Sequence, residues 1–159
     1  MEASTSAGAV AIREAMNGDL VAIERLLTDA GLPTAGVADI LNTDADSFFV
    51  AEVSDPEPRL VGVAGLEVCC DNALLRSVAV RPEWRSHGVG RELVRRIVCD
   101  AESRGIHALY LLTMTAEHYF PRLGFHRVER ADVPEEIAET LEFKSACPAS
   151  ATAMVKELT

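Results

Sequence analysis

One segment restricts the fold more than any other. From Leu75 to Leu93 a strand ends, a short loop through Pro82 follows, and an amphipathic pattern opens on Gly88 and Gly90. Leu74 to Val80 reads as a strand. Val89, Leu93, Val94, Ile97, Val98 and Ala101 then recur at helical spacing, and Arg104-Gly105 offers a left-handed stop. A strand joined to a helix by so short a loop lays that helix back over a sheet. The first turn of the helix leaves its N–H groups unpaired and partly positive. Gly88 and Gly90 put no side chain in front of them, so an anion can approach closely. The spacing Arg85-x-x-Gly88-x-Gly90 therefore suits a pyrophosphate. It is neither a Walker A loop nor a dinucleotide G-x-G-x-x-G. A different reading makes the glycines tight packing points and the arginines an exposed helix face. The register of strand, Pro82, Arg85 and helix favours the anion site.

Charge sharpens that choice. The chain carries 15 basic and 25 acidic residues, a net charge of -10, whereas Arg81 to Arg96 holds five arginines and two glutamates, a local +3. A positive island in an acidic protein is what a polyanionic cofactor needs. The overall balance weighs against nucleic-acid and anionic-membrane partners. No apolar run approaches the ~20 residues of a membrane span. Met1 to Ser6 shows no basic and apolar leader, so the expectation is a cytoplasmic protein. At 159 residues, 48% of them hydrophobic, the chain suffices for one domain over residues 1–159, with 1–7 flexible. Cys69, Cys70, Cys99 and Cys147 have no ligand spacing with one another or with the four histidines, so no metal and four reduced thiols are expected.

Elsewhere the pattern predicts a strand over Gly8–Glu14 and a helix starting at Asn17-Gly18-Asp19 and stopping at Gly31-Leu32-Pro33. A short helix at Val37–Leu41 follows, then strands at Ser47–Val53 and Leu60–Cys70, a hairpin turn at Asp71-Asn72 and a strand at Leu74–Val80. Cys69 and Cys70, adjacent in the strand, should point to opposite faces. After the long helix come a buried strand at Ala108–Leu112, a helix over Ala116–Leu123 closed by Gly124, a helix capped by Asp132, and a last strand at Ala151–Leu158. The class is α+β (mixed α/β), a meander followed by a β-α-β unit.

Val78-x-Val80-x-Pro82-x-x-Arg85-x-x-Gly88-x-Gly90 resembles the acetyl-coenzyme A motif of the GNAT N-acetyltransferase superfamily. Phe120-x-x-Leu123-Gly124-Phe125 resembles that superfamily's later helix-to-strand signature, and the likeness spans about Val10 to Leu158. More narrowly, Leu74-Leu75-Arg76-Ser77, Leu111-Leu112-Thr113-x-Thr115 and Cys147-Pro148-Ala149-Ser150-Ala151 resemble the arsenic-resistance-associated N-acetyltransferases. The C-terminal half is also similar to the acetyltransferase domain of N-acetylglutamate synthase. The resemblance implies a mostly antiparallel sheet with one parallel, splayed strand pair, and acetyl-CoA as cosubstrate. It implies that Val78, Ala79 and Val80 offer backbone groups to the pantetheine arm. It further implies that Arg85, Ser86, His87, Gly88, Val89, Gly90 and Arg91 surround the pyrophosphate. It leaves a homodimer open.

The catalytic side chains are less determined. Where many superfamily members carry a tyrosine acid, this chain has Phe120, and Tyr119 stands ~100° round a helix from it. Tyr119 is a candidate proton donor or a packing residue. Glu67 is a candidate base or an exposed strand carboxylate, and Thr113 binds substrate or caps the next helix. Arg76 should share Val78's face. There it meets either an acceptor carboxylate or Glu67. The expected function is direct acetyl transfer from acetyl-CoA to a small amine, such as an amino acid. The alternative is a non-catalytic acyl-CoA sensor.

Overall fold

The computed structural model describes residues 10–34, 36–41, 47–54, 57–85, 87–114, 116, 118–140, 143 and 151–158. Seven strands form one sheet: β1 (Ala11–Glu14), β2 (Ser47–Ser54), β3 (Pro58–Cys69), β4 (Asn72–Val80), β5 (Ala108–Thr113), β6 (His126–Arg127) and β7 (Thr152–Glu157). Their order is β1-β2-β3-β4-β5-β7-β6. Every described pairing is antiparallel except β4 with β5.

Side chains alternate across the sheet, so each face acquires its own core. Helix α3 (Val89–Ser103) covers one face, where Leu93 and Ile97 are fully buried against Phe49, Leu66 and Leu75. Each such side chain contributes about 1.5–3 kcal/mol of burial free energy. The helix packs so closely on β3 that a Cβ at Gly62 would lie 2.9 Å from Leu93. Gly105, at φ 76°, ends it as expected. The opposite face carries α1 (Leu20–Asp29) and α2 (Val37–Leu41) over Val50 and Val63, and α4 (Glu135–Ala138) over Leu74.

Several expectations need correction. The hairpin register pairs Cys69 with Asn72, so the turn is Cys70-Asp71, one residue earlier than expected. Cys70 leaves the strand at φ 60°, and the two thiols are not an alternating strand pair. The helix over Ala116–Leu123 contracts to a 3-10 turn at Phe120–Leu123. Pro121 explains this, since its ring obstructs a continuous helix through that point. Gly124 still closes the turn, at φ 97°. Asp132 caps nothing: it belongs to a separate 3-10 turn, and α4 starts from Pro134 without a side-chain cap. Cys147, and the start of the first expected strand at Gly8, lie outside the described residues. Among the described residues no helix is long and apolar enough to cross a membrane, and no three His, Cys, Asp or Glu groups gather as a metal site.

Candidate active site

The parallel pair β4–β5 is short. It runs Asn72↔Ala108, Ala73↔Leu109, Leu74↔Tyr110 and stops, although both strands continue. Beyond Leu74 the strands separate and a cleft of about 1210 Å³ opens between them. Its floor is the free edge of β4 from Leu75 to Val80, and its far wall is Leu111–Thr113. The start of α3, the Tyr119–Leu123 turn and the α1–α2 connection at Ala30–Pro33 complete its walls.

A bulge changes the direction of β4 inside this cleft. The register passes from Gly65↔Arg76 to Val63↔Ala79, so Ser77 and Val78 together oppose Ala64. Ser77 takes φ 59°, a left-handed conformation that costs a non-glycine residue of order 1 kcal/mol. An extra residue in a strand reverses the facing of everything after it. Leu74 and Arg76 therefore face the α1–α4 side, whereas Val78 and Val80 pack toward α3. Arg76 does not share Val78's face, contrary to simple alternation.

Arg76 lines the cleft, with a side chain only 1% exposed. Its Nη1 donates to Glu67 Oε1 at 3.2 Å and its Nε to Ser77 Oγ at 3.1 Å. Burying this guanidinium is tolerable because it is both paired and hydrogen-bonded. Glu67 sits behind it and is not among the residues that line the cleft. Thr113 lines the cleft, and its Oγ1 accepts the backbone N–H of Ala116 at 2.9 Å, fixing the chain as it leaves β5.

At the other end Gly88, at φ 81°, is the residue before α3. Gly90 faces the cleft: a Cβ there would lie 3.0 Å from the Tyr119 hydroxyl and 3.6 Å from Val80 Cγ2. The five arginines of the positive island divide. Arg85 and Arg91 line the cleft. Arg81 donates to the Leu60 carbonyl, Arg95 pairs with Glu92, and Arg96 lies over the Phe49 ring. Arg85 Nε donates to the Val80 carbonyl at 3.2 Å, tying the loop to the end of β4. His87 is exposed, tilted against Trp84, with Nδ1 3.0 Å from the Arg85 carbonyl. Ser86 lies outside the described residues. Val78, Ala79, Val80 and Val89 all border the cleft.

Tyr119 and Phe120 also border it. Phe120 is 6% exposed and wedged edge-on between Tyr119 and Phe125. Burial pushes the Tyr119 phenol above its ordinary range, while Arg91 and Arg122 pull it the other way. Among the contributors that the sequence does not single out are Trp84, Arg122 and the Ala30–Pro33 connection. Trp84 stands inside the Pro82–Arg85 motif and Arg122 inside the Phe120–Gly124 signature, so both had a sequence signal. The connection had none.

The acetyltransferase (GNAT) domain family matches residues 44–127, more than half of the chain, and the chain belongs to that family. An amino-acid acetyltransferase of Mycobacterium tuberculosis is 31% identical over 134 residues, covering 82% of this chain and 76% of that protein. An amino-acid acetyltransferase of Aeromonas salmonicida is 28% identical over 75% of this chain, which spans only 27% of it. Among solved structures, Mycobacterium tuberculosis Rv2747 in complex with CoA superposes with a TM-score of 0.77 at 25% identity, over 94% of this chain and 99% of that one. The Neisseria gonorrhoeae N-acetylglutamate synthase complexed with coenzyme A and N-acetyl-glutamate gives a TM-score of 0.78 at 22% identity, over 100% of this chain and 36% of that one, a likeness of fold.

Proposed function

We propose that this chain transfers the acetyl group of acetyl-CoA directly to the amino group of a small, amino-acid-like acceptor. The observation that carries this reading is the β4–β5 ladder ending at Leu74↔Tyr110, which leaves a strand edge open beside the glycine-opened start of α3. The residues present fit coenzyme A. Gly90 puts no side chain beside the Tyr119 hydroxyl at the start of α3, and Arg85, Arg91 and Arg122 also line the cleft and bring it positive charge. An extended pantetheine arm can lie along β4 as an added strand does. The relatives carry the name amino-acid acetyltransferase, and a solved neighbour holds CoA, which supports both the donor and the acceptor class.

When bound, acetyl-CoA supplies the thioester carbonyl that the amine attacks. The backbone N–H of Val78, in the bulge, is assigned to polarise that carbonyl, with Val80 further along the same edge. Arg76, held at the cleft wall by Glu67 and Ser77, is assigned to place positive charge beside the acceptor's carboxylate. Glu67, paired with Arg76 and set back from the cleft lining, holds that guanidinium in place, and the amine's proton leaves to solvent. Thr113 borders the acceptor from the β5 side. As the new C–N bond forms and the C–S bond breaks, the nitrogen loses a proton and the thiolate gains one. General acid–base help is typically worth ~10²–10⁴-fold, so positioning and polarisation can sustain the reaction without a dedicated acid.

The test is thiol release from acetyl-CoA with a panel of amines. The panel contains acidic and neutral amino acids and the arsenic- and phosphorus-containing analogues suggested by the narrower resemblance. Turnover with an amino acid supports the proposal. Turnover only with amines lacking a carboxylate removes the role of Arg76. Acetyl-CoA binding without turnover favours the sensor reading, whose motivation is Phe120 at the usual tyrosine position.

A further inference from the structure

Tyr119 occupies an unexpected place for a proton donor. Its hydroxyl lies within contact distance of where a Gly90 side chain would be, and that same point is 3.6 Å from Val80 Cγ2. The hydroxyl therefore sits at the neck of the cleft, between the first turn of α3 and the last residue of β4. Val80 is two residues beyond Val78, about 7 Å along an extended strand. Thiolate protonation needs a donor at about 3 Å. The ring is fixed from behind, 5.3 Å from Phe120 and at 71° to it. Arg91 and Arg122 act electrostatically on the same phenol. These neighbours make the hydroxyl part of a cationic, donor-rich end of the cleft and separate it from the acceptor end.

Resting on the acetyl-CoA reading above, we propose that the Tyr119 hydroxyl is a hydrogen-bond donor to the pyrophosphate of the bound cosubstrate and is not the acid for its thiolate. The α3 N-terminus receives the pyrophosphate from one side, and Tyr119 with Arg122 receives it from the other. Burial shifts the phenol further toward its protonated form, the form that donates to an anion. Gly90 matters here twice, because it admits both the anion and the hydroxyl.

The experiment compares the wild-type protein with Tyr119→Phe, which keeps the ring and its packing, using calorimetric titration of CoA together with steady-state kinetics. A hydrogen bond to an anion lost from a partly open site corresponds to about a tenfold weaker CoA. The same factor is expected in the acetyl-CoA KM, with the acceptor KM and the form of the kcat pH profile unaltered. Acetyl-pantetheine, which lacks the pyrophosphate, should be used equally well by both proteins. Gly90→Ala should cost CoA affinity in the wild type and less in the Tyr119→Phe background, because its Cβ displaces the same hydroxyl. Unchanged CoA affinity in Tyr119→Phe overturns the proposal. So does an equal penalty with acetyl-pantetheine, or a lost basic limb in the kcat profile, which would make the hydroxyl an acid after all. The CoA titration reads the role of Tyr119 even if no amine is acetylated, so failure of the transferase reading remains a separate result.

Discussion

The two ends of the cleft are built in opposite ways. The end proposed to hold the pyrophosphate comes mostly from one continuous stretch, Val80 to Arg91, with Tyr119 and Arg122 added from the turn after β5. Its chemistry is backbone N–H groups, two glycines and arginines, all consequences of local sequence. The end proposed for the acceptor draws on four places: Arg76 on β4, its partner Glu67 on β3, Thr113 at the end of β5, and the Ala30–Pro33 connection. Its central charge is buried, and it depends on a pairing partner nine residues away. Local construction makes the first end tolerant of what happens elsewhere in the fold. Distributed construction makes the second end sensitive to strand register, and adjustable by small changes on any of its walls.

If the ends are separable, each should fail alone. The largest effect is expected from Gly90→Glu. Its side chain would enter the space beside Tyr119 and add a negative charge where the anion belongs. CoA binding should fall by at least about a hundredfold, two decades or roughly 2.7 kcal/mol, with the melting transition retained. Unchanged affinity by calorimetry would remove the cofactor site from this end.

Arg76→Lys should act on the other end. A lysine keeps the charge but loses the fork. It also loses the geometry that satisfies Glu67 and Ser77 together. The acceptor KM should rise about tenfold, the cost of one charge-assisted bond, while CoA affinity stays within twofold. Loss of folding, or equal loss of both ligands, would reduce Arg76 to a structural ion pair.

Gly88→Ala divides the phosphate end itself. A Cβ at Gly88 meets nothing within 4 Å, so the only penalty is its left-handed φ of 81°. That penalty is about 1–2 kcal/mol. The melting temperature should fall by about 2–8 °C, with CoA affinity falling far less than for Gly90→Glu. A comparable loss of affinity would mean that both glycines serve close approach.

What could be seen in the sequence follows the same division. Helix α3, its start and its stop were legible because period, glycine and the Arg104-Gly105 end all act within a few residues. The bulge at Ser77–Val78 was not. Leu75 to Val80 shows no irregularity of its own, and the slip exists only relative to Ala64 on β3. Missing it placed Arg76 on the wrong face. The hairpin turn failed for a similar reason: the register that sets Leu66 opposite Leu75 overrode the turn preference of Asp71-Asn72. The positive island is visible in the sequence as a sum, but which arginines face the cleft depends on Leu60, Glu92 and Phe49, none of which local spacing reveals.

The smallest expected effect lies where the two ends meet. Phe120→Tyr restores the hydroxyl that many superfamily members carry at this position. Phe120 is held edge-on by Tyr119 at 5.3 Å and by Phe125 at 5.7 Å, so the ring should stay where it is. It borders the cleft, which gives a new hydroxyl room to be solvated and limits the burial cost. If positioning along β4 and polarisation by the bulge already carry the reaction, an added acid changes little. Turnover at saturating acceptor should stay within about twofold, below the ~10²-fold that a working acid contributes. A tenfold rise would show that thiolate protonation limits the native protein. It would also show that the two ends are coupled through this one ring, because a residue packed against Tyr119 would then control chemistry at the acceptor.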